Sequence, residues 1–154
     1  MHLAAMSAPA DVAIRLARAD ERQQLEDLQR RASLALGEYN EQLEAHPDAI
    51  ELPLEQIGQG NVFVAELDDR IVGFAALLID GDLAELDGLF VEPAHWRRGV
   101  GAALVEVAVH EARRQGLAMM VVANPSAQAF YERCGFTVEG GAETRFGPAL
   151  RMSR

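Results

Sequence analysis

The sequence predicts a mixed α/β domain of the α+β kind, built on a largely antiparallel sheet. Three observations lead there. "NVFVAEL", "RIVGFAALLI" and "LAELDGLFV" are strand-like runs separated by Asp68-Asp69 and by Asp80-Gly81-Asp82, turns short enough only for antiparallel neighbours. "HWRRGVGAAL", His95 to Leu104, then passes through a glycine turn into a helix-forming stretch. "LAMMVVA" is a continuous apolar run, which predicts a strand covered on both faces.

The remaining elements follow in order. Residues 1–11 are expected to be a flexible N-terminus to a single domain spanning 1–154. "VAIRLA" alternates like a short strand, and "ADERQQLEDLQRRASLAL" follows as a helix capped by Asp20, with Leu25, Leu28 and Ala32 inward. Gly37 to Gly60 mixes short helical pieces with Pro47 and Pro53 and reads as a variable cap. Ala102 to Gln115 predicts a helix with Leu104, Val105, Ala108, Val109 and Ala112 inward and Gly116 as its stop. Asn124 is placed to cap a short helix with Pro125 in its first turn, ending near Gly135. "FTVEG" and "TRFGPALRM" close the sheet as strands.

Composition excludes several chemistries. All 14 basic residues are arginine, so the lysine of a Walker-type phosphate loop or of a pyridoxal Schiff base is lacking. No Gly-x-Ser-x-Gly elbow is present. The net charge of -10 argues against nucleic acid as a partner and suits a cationic substrate. His2, His46, His95 and His110 are scattered without metal spacing, so no metal is expected. The single Cys134 fits a reducing compartment, and the lack of a long apolar run argues against a membrane partner; a cytoplasmic protein is the expectation.

The glycine turn suggests a ligand. A helix N-terminus carries unpaired backbone N–H groups and about half a positive charge, and glycines let a diphosphate approach the main chain. A dinucleotide fingerprint fails on context, because a meander precedes the turn and Leu104 stands where a third small residue would be.

A second constellation, "NPSAQAFYERCGF" from Asn124 to Phe136, follows the next strand. With the glycine turn it resembles the GCN5-related N-acetyltransferase (GNAT) superfamily. Gly99 and Gly101 match the family pattern Arg/Gln-x-x-Gly-x-Gly/Ala, whose first position is here Trp96. Asn124, Ala127, Phe130, Tyr131, Gly135 and Phe136 match the later pattern Asn-x-x-Ala-x-x-Phe-Tyr-x-x-x-Gly-Phe. The resemblance runs from about Val12 to Met152. It implies the GNAT fold, a central mixed sheet of six to seven strands flanked by about four helices. It also implies acetyl-CoA as co-substrate, a small-molecule or peptide amine as acceptor, direct attack in a ternary complex, and a possible homodimer. A non-catalytic acyl-CoA sensor on the same fold is the alternative.

Roles for individual residues come with the resemblance. The backbone amides of Arg97, Arg98, Gly99, Val100, Gly101 and Ala102 would cradle the diphosphate. On the strand before the turn, the family's oxyanion donor corresponds to the N–H near Leu89, with Phe90 and Val91 beside the pantetheine arm. Gly88 fits a bulge there. Asn124, Ala127 and Phe130 would complete the coenzyme site. Tyr131 corresponds to the general acid for the leaving thiolate. A simple alkylamine is only about one part in a thousand neutral at pH 7, so a proton acceptor is needed. Glu85, Asp87 or a water chain would supply it.

Overall fold

The computed structural model describes residues 12–154, so the expected flexible segment 1–11 lies outside the described residues. Among the described residues seven strands form one sheet in the order β1-β2-β3-β4-β5-β7-β6. They are β1 (Ala13–Leu16), β2 (Val62–Leu67), β3 (Arg70–Asp80), β4 (Leu83–Val91), β5 (Ala118–Ala123), β6 (Thr137–Thr144) and β7 (Gly147–Ser153). All neighbours are antiparallel except β4 and β5. Five α-helices accompany them among the described residues: α1 (Arg22–Leu36), α2 (Asn40–Ala45), α3 (Leu54–Gly58), α4 (Val100–Arg114) and α5 (Gln128–Arg133). No helix among the described residues is long and apolar enough to cross a membrane.

The hairpins form as the turn chemistry dictates. Asp68 and Asp69 both take positive φ, 52° and 61°, the twist a two-residue connection needs to match its strands. The two sheet faces carry separate cores. On one face Leu104, Val105 and Ala108 of α4 pack with Ala75, Leu77, Ala84, Leu86, Met119, Val121, Tyr131 and Phe136. On the opposite face Leu25 and Leu28 of α1, Ile57 of α3 and Leu52 just before α3 cover Val62, Val64, Phe74 and Ala76.

Three local expectations are corrected. Asp20 does not cap α1: it is exposed in a short 3-10 turn, and Glu21 accepts the Arg18 backbone N–H at 2.8 Å while its carboxylate also pairs with Arg15. The Arg15 fork and the backbone N–H together outcompete Asp20 for the helix entrance, and they hold the Glu21 carboxyl below its ordinary pKa. Asn124 precedes a 3-10 turn, Pro125–Ala127, but its side chain does not cap it, being drawn into other bonds described below. Finally, β5 is not covered on both faces. Met119, Val121 and Ala123 are buried, whereas Met120 and Val122 are half-buried and Ala118 is exposed. The helices of the second face stop over β2, β3 and β4, which leaves the other side of β5 open.

Candidate active site

The site begins where β4 and β5 part. The two strands pair only through Leu83, Ala84 and Glu85, opposite Ala118, Met119 and Met120. Further along β4 its outer edge has no strand partner. On the inner edge the register with β3 jumps from Leu77↔Leu86 to Ala76↔Gly88, so Asp87 is the extra residue of a β-bulge. Glycine is needed beside it, because a Cβ on Gly88 would come within 2.9 Å of the Phe90 ring.

Past the bulge the strand alternates regularly. Val91 lies opposite Gly73, and the Glu92 N–H donates to the Val72 carbonyl at 2.8 Å. Antiparallel alternation then turns the N–H and C=O groups of Leu89 and Val91 away from β3 and into the gap. Phe90, between them, turns its backbone groups towards β3 and packs its ring against Phe74 at 5.4 Å. Its ring is partly buried against the core of the second face. The Val91 carbonyl is engaged, accepting the indole N–H of Trp96 at 2.7 Å.

The corner itself is strained and open. Arg97 (φ 65°) and Gly99 (φ 84°) both adopt left-handed conformations, which bends the chain sharply into α4. Helix α4 starts at Val100, two residues before the expected position, and its first internal bond is Ala103 N–H to Gly99 O at 3.0 Å. The N–H groups of Val100, Gly101 and Ala102 therefore have no helical acceptor. No side chain caps this end, and its first turn holds no acidic residue. Arg97 and Arg98 are exposed alongside.

The two sequence constellations meet here. The place of a Cβ on Gly101 lies 3.4 Å from the Phe130 ring and 3.8 Å from a Val91 methyl. A Cβ there would sit in ordinary van der Waals contact with both, which shows how closely the turn, the β4 edge and the Phe130 ring meet. Tyr131, next to Phe130, is buried among Phe130 and Phe136 with ring centroids 5.0 and 5.5 Å away. Burial pushes its hydroxyl pKa well above that of free tyrosine, and no hydrogen bond to its hydroxyl opposes the shift. It stays protonated at any physiological pH. Ala127 is part-buried against the same core.

Glu85 and Asp87 approach each other across the bulge. Burial raises the pKa of Glu85, the charge of Asp87 raises it further, and Arg151 on β7 opposes. Asp87 is exposed as a residue, yet lost hydration at its carboxyl still raises its pKa, with the Gln56 amide opposing.

The cap segment supplies a wall by contacts that sequence reasoning did not foresee. The Tyr39 hydroxyl donates to Asn124 Oδ1 at 2.7 Å, and Asn124 Nδ2 donates to Glu38 Oε2 at 2.6 Å. Tyr39 and His46 lie against Phe146 of the β6–β7 turn, with centroids 5.7 and 6.5 Å apart. Arg145 lies 5.6 Å from the centre of the Phe146 ring and 3.4 Å from Asp48. Asn124, expected to face the coenzyme, has both ends of its amide bound to the cap. Arg31 of α1 also escaped sequence reasoning: its guanidinium holds Glu92 through bonds of 3.0 and 2.7 Å, fixing the start of the turn. Nothing in a single sequence marks a pair so far apart.

The model of the acetyltransferase (GNAT) family matches residues 23–136, well over half of the chain. The chain belongs to this family. Like the geometry, the family match covers both the glycine turn and the Asn124–Phe136 constellation. An uncharacterised N-acetyltransferase of Methanocaldococcus jannaschii is 33% identical over 85 residues, covering 48% of this chain and 38% of that protein. The chain thus aligns with well under half the length of that curated relative. Among solved structures, a GCN5-related N-acetyltransferase of Rhodopseudomonas palustris superposes with a TM-score of 0.73 at 21% identity, covering 97% of this chain and 96% of the other. The PaiA N-acetyltransferase of Thermoplasma acidophilum, solved in complex with coenzyme A, gives 0.71 at 19% identity, covering 93% and 98%. At these identities the superpositions establish the GNAT fold.

Proposed function

We propose that this GNAT protein is an acetyl-CoA-dependent N-acetyltransferase that moves an acetyl group to a primary amine by direct attack in a ternary complex. The observation that carries the reading is the convergence of Val91, Gly101 and Phe130 beside three helix-end N–H groups without helical acceptors. When bound, acetyl-CoA supplies the thioester from which the acetyl group departs.

The chain's own groups have distinct tasks. The amides from Arg97 to Ala102, with Arg97 and Arg98 nearby, hold the diphosphate; in an acidic protein this local positive field offsets repulsion of the polyanion. The N–H groups of Leu89 and Val91 face the gap, and that of Leu89 stabilises charge on the reacting carbonyl oxygen, a contribution of about 100- to 1,000-fold in rate. The Glu85–Asp87 pair takes the surplus proton of the ammonium, directly or through water; the raised pKa values bring these carboxyls closer to that task. The amine nitrogen forms the new C–N bond as the C–S bond breaks; Tyr131 gives its proton to the departing sulfur and regains one as the new amide nitrogen sheds its remaining surplus proton, directly or through water. Cys134 takes no part: burial raises its thiol pKa, which disfavours an acyl-cysteine route.

The carboxylates of Glu38, Glu41, Asp48, Glu85 and Asp87 favour a cationic acceptor over an anionic one. The test is a coenzyme-A release screen of the purified protein with acetyl-CoA against a chemically broad amine library. Release with one or more amines supports the reading; acetyl-CoA binding without release for any amine would instead identify a sensor.

A further inference from the structure

Trp96 departs from the turn pattern of its family, and it is the only tryptophan in the chain. Its indole N–H donates to the Val91 carbonyl at 2.7 Å. That carbonyl shares one peptide plane with the Glu92 N–H, which donates to Val72 O at 2.8 Å on the other side. The Glu92 side chain is in turn gripped by Arg31 at 3.0 and 2.7 Å. One peptide unit is therefore pinned from β3, from α1 and from the coenzyme turn itself.

The position of that unit matters. It is the last on the open edge of β4, after which the chain leaves the sheet for the corner at Arg97 and Gly99. The open edge presents the N–H and C=O of Leu89 and the N–H of Val91, but the next acceptor, the Val91 carbonyl, is already occupied by the indole. An extended ligand pairing along this edge has its ladder ended there and is handed on to the amides of Val100, Gly101 and Ala102. We propose that Trp96 is a positioning residue that sets where the coenzyme's pantetheine arm leaves the β4 edge, acting through the Val91 carbonyl and not on the phosphates. This rests on the coenzyme reading given above.

Calorimetric titration with two probes separates the possibilities: coenzyme A, and 3′-phosphoadenosine 5′-diphosphate, which carries the same phosphates without the arm. In Trp96→Phe, which keeps a ring and loses the N–H, the Kd for coenzyme A should rise about three- to tenfold, the loss expected for one hydrogen bond. The Kd for the nucleotide should stay within about twofold of wild type. Equal weakening of both probes would show a general collapse of the turn, and an unchanged Kd for coenzyme A would show that the indole bond is idle; either overturns the proposal. The wild-type protein gives an independent reading through its sole tryptophan. At saturation its emission should change more with coenzyme A than with the nucleotide; equal changes with both probes, or a silent tryptophan on binding of coenzyme A, overturn the proposal even if Trp96→Phe fails to fold. If wild type binds neither probe, the coenzyme reading fails first and this role with it.

Discussion

The corner around Gly99 is made of main chain, whereas the wall around Asn124 is made of side chains drawn from three distant segments. At the corner, two left-handed residues and the start of α4 leave backbone N–H groups pointing outwards, and no side chain is needed to create them. At the wall, Glu38 and Tyr39 reach Asn124 while Phe146 from the β6–β7 turn supports Tyr39. The difference separates two kinds of robustness. A backbone cradle is disrupted only by strain, bulk or charge. A side-chain wall can be dismantled one atom at a time, with a small loss at each step.

Substitutions sharpen this contrast, beginning with the largest effect. Tyr131→Phe removes the hydroxyl proposed as the general acid, and kcat should fall about 100- to 10,000-fold while the Kd for acetyl-CoA stays within about twofold. Steady-state kinetics with calorimetry would show it, and unchanged turnover would remove Tyr131 from the acid role. Gly99→Glu attacks the main chain, forcing a side chain into φ 84° and setting a carboxylate against the diphosphate. Coenzyme binding should weaken at least about 100-fold, by roughly the 3 kcal/mol that such strain and repulsion together amount to. Tight binding by a folded Gly99→Glu protein would contradict the cradle.

The carboxylate pair predicts a pH signature of intermediate size. A raised carboxyl pKa means that the folded state holds the proton more firmly than the unfolded one. The associated stability is therefore present below the unfolded pKa and declines as pH rises through the folded pKa. Burial makes the charged form of both groups costly, so Asp87→Asn should raise Tm while lowering kcat/KM. In the wild type, the acid limb of kcat/KM should fall at a pH above the ordinary carboxylate value. A lower Tm with unchanged activity would leave Asp87 a mere surface group. The smallest effect belongs to the wall: Tyr39→Phe should cost about 1 kcal/mol, or about 2–4 °C in Tm, with the Kd for coenzyme barely changed. A coenzyme affinity that collapsed in Tyr39→Phe would erase the distinction between corner and wall.

The same contrast explains what could be read from the residues alone. Turns, helix stops and the bulge rest on local rules, so the positive φ at Asp68, Asp69, Gly99 and Gly116 and the irregularity at Asp87-Gly88 follow from residue type and spacing. The glycine turn and Asn124–Phe136 motif were legible for that reason, and the family match bears out the resemblance they carry. The capping expectations at Asp20 and Asn124 failed where a tertiary partner outcompeted a local one: Arg15 and the Arg18 N–H draw in Glu21, and the cap segment draws in Asn124. Strand β5 looked doubly covered because periodicity cannot tell how far α1 and α3 extend over the sheet. The Arg31–Glu92 clamp and the Tyr39–Phe146 contact span separations over which sequence carries no local signal.

The most direct measurement is a crystal structure of the protein grown with coenzyme A. The diphosphate should lie within hydrogen-bond distance of the N–H groups of Val100, Gly101 and Ala102, with the arm along the outer edge of β4. Coenzyme docked at any other part of the sheet, or those three amides found bonded to the protein's own carbonyls, would contradict it.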